Sequence, residues 1–139
     1  MADKIFLTLI LISVLLGCNG NGNLRADQSI SGGISSPELS VGEALVYIGN
    51  GAKQCENDGM SISESANLLI NHGVDVISSH CGLIAGMAVL AVCGGPTLEI
   101  NLHVINARKI SDAQEEGFNL VSKLEEQRGV GYQVVECKK

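Results

Sequence analysis

From residue 41 onward the chain changes its hydrophobic period several times, and each change marks an element. Val41–Ile48 (VGEALVYI) has an apolar centre at Ala44-Leu45-Val46 and runs into the turn Gly49-Asn50-Gly51, which predicts a strand over about 43–48. Ser61 with Glu64 three residues on makes a capping box, and Ile62, Ala66, Leu69 and Ile70 then fall on one side at helical spacing. Gly73 supplies the stop, so a helix is predicted over about 62–72. Val74–Ser79 carries β-branched residues and reads as a strand ended by Cys81-Gly82. A helical crossover into it favours the same direction as the first strand.

Met87–Cys93 (MAVLAVC) is almost wholly apolar and predicts a third, central strand before the turn Gly94-Gly95-Pro96. Leu98–Ile105 alternates clearly. Leu98, Ile100, Leu102 and Val104 point one way; Glu99, Asn101 and His103 point the other, as in a strand with one wet face. Ser111 with Gln114 suggests a second capping box, opening a helix whose buried stripe is Ala113, Gly117, Phe118, Val121 and Leu124. Tyr132–Glu136 is the last strand. The order β-α-β-β-β-α-β becomes β-α-β-β-α-β when one middle strand is set aside, which is the ferredoxin-like arrangement. The expectation is a small α+β domain over residues 41–139, with an antiparallel or mixed sheet and both helices on one face. A different α+β sheet is the competitor.

The segment before this domain has another pattern. Lys4 precedes an apolar run from Ile5 to Gly17, shorter than the ~20 residues that cross a bilayer comfortably and built like a secretory signal. Its end, Leu15-Leu16-Gly17-Cys18, resembles the lipobox of bacterial lipoproteins. That resemblance covers residues 1–18. It implies removal of residues 1–17, acylation of the Cys18 thiol, and attachment to a membrane through the N-terminal lipid. Asn19 resembles the pattern of lipoproteins forwarded to the outer membrane, with the domain in the periplasm; the inner membrane and the cell surface are the alternatives. Residues 18–40 are rich in Gly, Ser and Asn and read as a flexible tether.

Net charge is −6, and no basic cluster exceeds the pairs Arg108-Lys109 and Lys138-Lys139. Nucleic acid is therefore not an expected partner, whereas an envelope protein is. Apart from Cys18 there are four cysteines, Cys55, Cys81, Cys93 and Cys137, an even number suited to an oxidising compartment and two disulfides. If Met87–Cys93 is the antiparallel strand between two parallel ones, the topology favours Cys55–Cys81 and Cys93–Cys137 over the two other connectivities. If Leu98–Ile105 is central instead, that preference weakens.

Candidate chemistry is sparse. His80, Cys81, Cys93 and His103 are donor types that suit a soft metal, at a spacing that matches no familiar signature. Gly49-Asn50-Gly51-Ala52 lacks the third glycine of a dinucleotide loop, no CxxC occurs, and no positive setting for a reactive thiolate can be read. The loop Gly82-Leu83-Ile84-Ala85-Gly86 is a candidate apolar contact tip through Leu83 and Ile84. The expectation is a non-catalytic, lipid-anchored accessory or binding protein of the envelope with no cofactor. The alternative is a small periplasmic metal or redox protein using the His and Cys side chains.

Overall fold

The structure, a computed structural model, describes residues 35–128 and 131–138. The signal segment, Cys18 and most of the tether lie outside the described residues. The first strand, β1 (Glu43–Gly49), is followed by α1 (Ile62–Asn71), β2 (Val76–Ile84) and β3 (Glu99–Asn106). A 3-10 turn (Ala107–Lys109) leads into α2 (Ile110–Glu115), β4 (Asn119–Leu120), α3 (Ser122–Arg128) and β5 (Tyr132–Val135).

The sheet order is β4-β1-β3-β2-β5, with every neighbouring pair antiparallel. β1 and β2 run in the same direction with β3 between them, so the first four strands form the ferredoxin-like order and β5 extends the β2 edge. α1 and α2 cover one face, where Leu69, Ala113 and Phe118 pack on Ala44, Val46 and Ile105. The other face gathers Leu45, Ile100, Leu102, Val104 and Val134 around Val121. The link from β4 to β5 starts at Val121, which packs on this second face, and continues as α3. Phe118, Leu69, Leu102 and Leu124 are fully buried, each contributing roughly 1.5–3 kcal/mol by leaving water. Among the described residues no helix is long and apolar enough to cross a membrane.

α1 forms as its sequence dictates. The Ser61 hydroxyl accepts from the Glu64 N–H, the Glu64 carboxylate accepts from the Ser61 N–H, and Gly73 takes a positive φ of 72° just past the end. Its buried side differs from the apolar stripe. Ser65 and Leu69 face inward, and Ile70 is 52% exposed.

Met87–Cys93 is not a strand. β3 already pairs with both β1 and β2, and β5 occupies the outer edge of β2, so no central place in the sheet remains for a further apolar run. The segment is an exposed loop in which Leu90 and Val92 are 83% and 55% accessible. β2 also continues through Cys81-Gly82 to Ile84. The stretch expected as one helix to Leu124 is broken at Gly117, whose φ of 87° ends α2. The preceding turn is capped by Asn106, whose side chain accepts from the Arg108 N–H, while Ser111 lies inside α2. Ala113 and Phe118 consequently serve one sheet face and Val121 the other.

The disulfides are Cys55–Cys93 and Cys81–Cys137, which corrects the favoured pairing. A loop cannot carry Cys93 to the far end of the sheet as a strand would. Cys93 instead stays at the pole where β1 and β2 end, beside the loop that bears Cys55. Gln54 stitches these loops further: its N–H donates to Gly95 O at 2.9 Å and its side-chain amide to Leu90 O at 2.9 Å. Cys137 comes two residues after Val135, the register partner of Cys81, and alternation returns it to the same face. Peptide mapping of the non-reduced protein is expected to yield cross-linked peptides containing 55 with 93 and 81 with 137. Recovery of a 55–81 or a 93–137 peptide would refute this arrangement.

Candidate functional site

At the pole where β1 and β2 end and β3 begins, the helical face of the sheet is left open beyond the first turn of α1. A cavity of about 470 Å³ lies there, within the roughly 300–1,000 Å³ of small-molecule sites. The register brings Cys81 and Leu83 of β2, Glu99 and Asn101 of β3 and Val135 of β5 onto this face, because Cys81 pairs with Asn101 and Val135, and Leu83 with Glu99. Met60, Ser61 and Ile62 close the cavity from the helix start, and Cys137 and Lys138 from the C-terminal tail. The turn that delivers Met60 depends on Gly59, with φ 72°, where a Cβ would stand 2.5 Å from both Ala52 N and Asn50 O.

The polar groups of the wall are tied down. Lys138 Nζ donates to Glu99 Oε1 at 2.5 Å and Asn50 Nδ2 to Glu99 Oε2 at 3.1 Å. Burial opposes charge on Glu99, but these two hydrogen bonds and the Lys138 charge outweigh it and hold the carboxyl below its ordinary value. Asn101 donates to Met60 O at 3.0 Å and to Ser61 O at 3.2 Å, fastening the start of α1 to the sheet. The Cys81–Cys137 disulfide forms part of the wall and, with the Lys138–Glu99 ion pair, pins the tail across one side.

Below the cavity on the same face sits a second polar group. His103 is fully buried, with Nε2 2.9 Å from Ser65 Oγ, Nδ1 2.8 Å from Ser79 Oγ, and Phe118 edge-on at 5.8 Å. Ser65 Oγ is 3.0 Å from Ile62 O, to which its hydroxyl can donate. If it does, it accepts from His103 Nε2–H, and Nδ1 accepts from Ser79. This outwardly resembles a nucleophile and its base. Burial, aided by the nearby His80, however pushes the His103 pKa down to about 4. Such an imidazole is a poor proton acceptor, and neither hydroxyl supplies the negative charge that would stabilise an imidazolium. The group holds α1 to β2 and β3.

The sequence candidates are dispersed. Cys81 and Cys93 belong to different disulfides, and His80 and His103 project to opposite faces, since His80 pairs with Leu102 and His103 with Ser79. Among the described residues no group of three or more His, Cys, Asp or Glu side chains is placed to hold a metal ion. His103 is not on a wet face, because α1 covers it. Leu83 and Ile84 are not a loop tip: they are half-buried at the end of β2, paired with β3 and β5. Further on, Met87, Val89, Leu90 and Val92 are exposed. No motif in the sequence marks Asn101, Glu99, Asn50, Ser61 and Lys138 as a site. The usable signal was the polar side of the β3 alternation, which supplies Glu99 and Asn101. No protein-family model, no curated protein and no solved structure matches this chain.

The His103 geometry has a pH consequence. Between pH 6.5, the ordinary histidine value, and about 4, the unfolded chain takes up a proton at this residue that the folded chain refuses. Stability contributed by the neutral ring is therefore complete above 6.5 and declines as pH falls, by about 3 kcal/mol across the window. Urea unfolding at steps from pH 7.5 to 5 is expected to show this decline, and His103→Gln is expected to remove its His103 component. An equal slope in both proteins would contradict the assignment.

Proposed function

We propose that this chain is a lipid-anchored, non-catalytic binding protein of the cell envelope. In this reading it is held in the outer membrane through acylated Cys18, with its domain in the periplasm and its ligand in the cavity between α1, β3 and the C-terminal tail. The observation that carries the ligand site is a cavity of small-molecule size whose wall is fastened by a disulfide, an ion pair and the Asn101 bonds. A pre-formed wall avoids the ordering cost that a flexible site meets on binding. The non-catalytic reading is supported by the suppressed basicity of His103, the imidazole of the exposed Ser79 pair. The anchor rests on the lipobox resemblance at Leu15–Cys18, and the two staples suit an oxidising compartment.

Two experiments test the two halves. Intact-mass spectrometry of the native protein is expected to give a chain beginning at Cys18 with fatty-acyl mass added, and Cys18→Ser is expected to move it from the membrane to the soluble fraction. A chain that begins elsewhere without acyl mass defeats the anchor. Native mass spectrometry of protein purified from envelope extract is expected to show a small molecule bound to the wild type and lost from Leu83→Trp, which fills the cavity. Identical spectra for the two proteins would defeat the ligand site.

A further inference from the structure

We propose that the cavity takes an aliphatic primary ammonium, whose nitrogen replaces Lys138 Nζ on Glu99 while its hydrocarbon lies against Met60, Ile62, Leu83 and Val135. This rests on the reading of the cavity as a ligand site and names the class of ligand. An ammonium already stands at Glu99, supplied by the tail of the chain itself. Lys138 Nζ donates to Glu99 Oε1 at 2.5 Å. That hydrogen bond, the Glu99 charge and the charge of Asp58 together raise the Lys138 pKa, so this corner of the cavity favours the charged form of an amine.

The two members of this ion pair are unequally fixed. Glu99 belongs to β3, its side chain is 22% exposed, and Oε2 accepts from Asn50 Nδ2 at 3.1 Å. Asn50 is fastened in turn: Nδ2 also donates to Asp58 O at 3.2 Å, and Oδ1 accepts from the Ala52 N–H at 2.9 Å. The carboxylate is therefore pre-oriented. Lys138 lies beyond the end of β5, and its side chain is 63% exposed. An exposed lysine gains little from such a pair and must immobilise a long stem to keep it. A ligand that adds apolar contacts can displace it. A second recess of about 290 Å³ shares Asp58, Glu99 and Lys138 with the first, so Nζ stands at their junction and has somewhere to withdraw. The Cys81–Cys137 disulfide meanwhile keeps the tail backbone in the wall.

The remaining wall selects what the ammonium carries. Met60, Ile62, Leu83 and Val135 are apolar and partly exposed, so a hydrocarbon chain would cover surface that water now meets. Asp58, Glu99 and Glu136 against Lys138 leave the lining net negative, which disfavours an anionic ligand. No aromatic residue lines the cavity, so it lacks the cage that recognises a quaternary ammonium. Such a head group also has no N–H to give Glu99. A neutral alcohol brings a donor without the charge that makes a hydrogen bond to a carboxylate strong.

Calorimetric titration of the full chain in detergent micelles tests this with hexylammonium, hexyltrimethylammonium and 1-hexanol, against protein-free micelles as the blank. Hexylammonium is expected to bind, and the other two roughly tenfold more weakly, the effect of losing one charged hydrogen bond. Lys138→Ala removes the resident competitor and is expected to tighten hexylammonium binding, by up to about fivefold. Glu99→Gln removes the carboxylate and is expected to weaken it roughly tenfold. Opposite shifts from the two halves of one ion pair cannot come from a general loss of structure, and Lys138→Ala alters only an exposed side chain should Glu99→Gln fail to fold. Equal affinity for the three probes, or unchanged or weaker binding by Lys138→Ala, overturns the proposal. Failure of hexylammonium to bind overturns the ligand class alone if Leu83→Trp still displaces a co-purified molecule; without that displacement, the cavity itself has no ligand role.

Discussion

β3 is bonded along both edges and covered on both faces, and the domain is arranged around meeting that demand. Its edges go to β1 and β2, which forces those two strands into the same direction and requires α1 to connect them. One of its faces is apolar and packs against Val121, at the start of the β4-to-β5 connection. The other carries Asn101 and His103, two polar side chains that burial would penalise heavily without partners. Their partners all come from α1, the residues just before it, and β2. Asn101 takes carbonyls at the helix start, and His103 takes Ser65 in the first turns of the helix and Ser79 on the neighbouring strand. These polar contacts specify where α1 lies more sharply than Leu69 could alone, since an apolar contact tolerates sliding and a hydrogen bond does not.

The same residues explain what could be read in advance. Ser61, Glu64 and Gly73 announced α1 through local chemistry that depends on nothing distant, and it forms there. β1 and β5 were legible for the same reason. The errors concern information that a local pattern does not contain. Met87–Cys93 has the composition of a buried strand, but burial also needs an unoccupied edge or face in the sheet, and β5 lies nearly forty residues away in sequence. The alternation of β3 is plain in the sequence but does not tell a wet face from a buried polar one, because a solvated side and a buried polar side give the same pattern. Ser65 was the missing hint: a small hydroxyl between Ile62 and Leu69 on the inward stripe of a helix calls for a polar partner beneath. The disulfide pairing followed the misplaced strand. The cavity was least visible, since Asn50, Ser61, Asn101 and Lys138 are drawn from four segments and are unremarkable singly.

The staples act on regions the core does not reach. A domain of this size buries limited apolar surface, and its aromatic content is small, so long connections contribute little of their own. Cys55–Cys93 joins two such connections to each other, and Cys81–Cys137 ties the tail to a strand. Each closes a long loop in the unfolded chain, which typically stabilises by about 2–4 kcal/mol. The first lets the exposed apolar segment around Leu90 persist as a defined loop, anchored by Gln54 and Cys55.

The direction of β1 has a further consequence. The chain enters this strand at Glu43, level with Asn106, and leaves it at Gly49, level with Ile100, so the strand's length, about 20 Å, separates entry from exit. The recess bounded by Asn101 and Ile62 is at the exit. Anything that grips residues N-terminal to Glu43 therefore holds the molecule by its heel and leaves the recess facing outward, clear of the point of attachment.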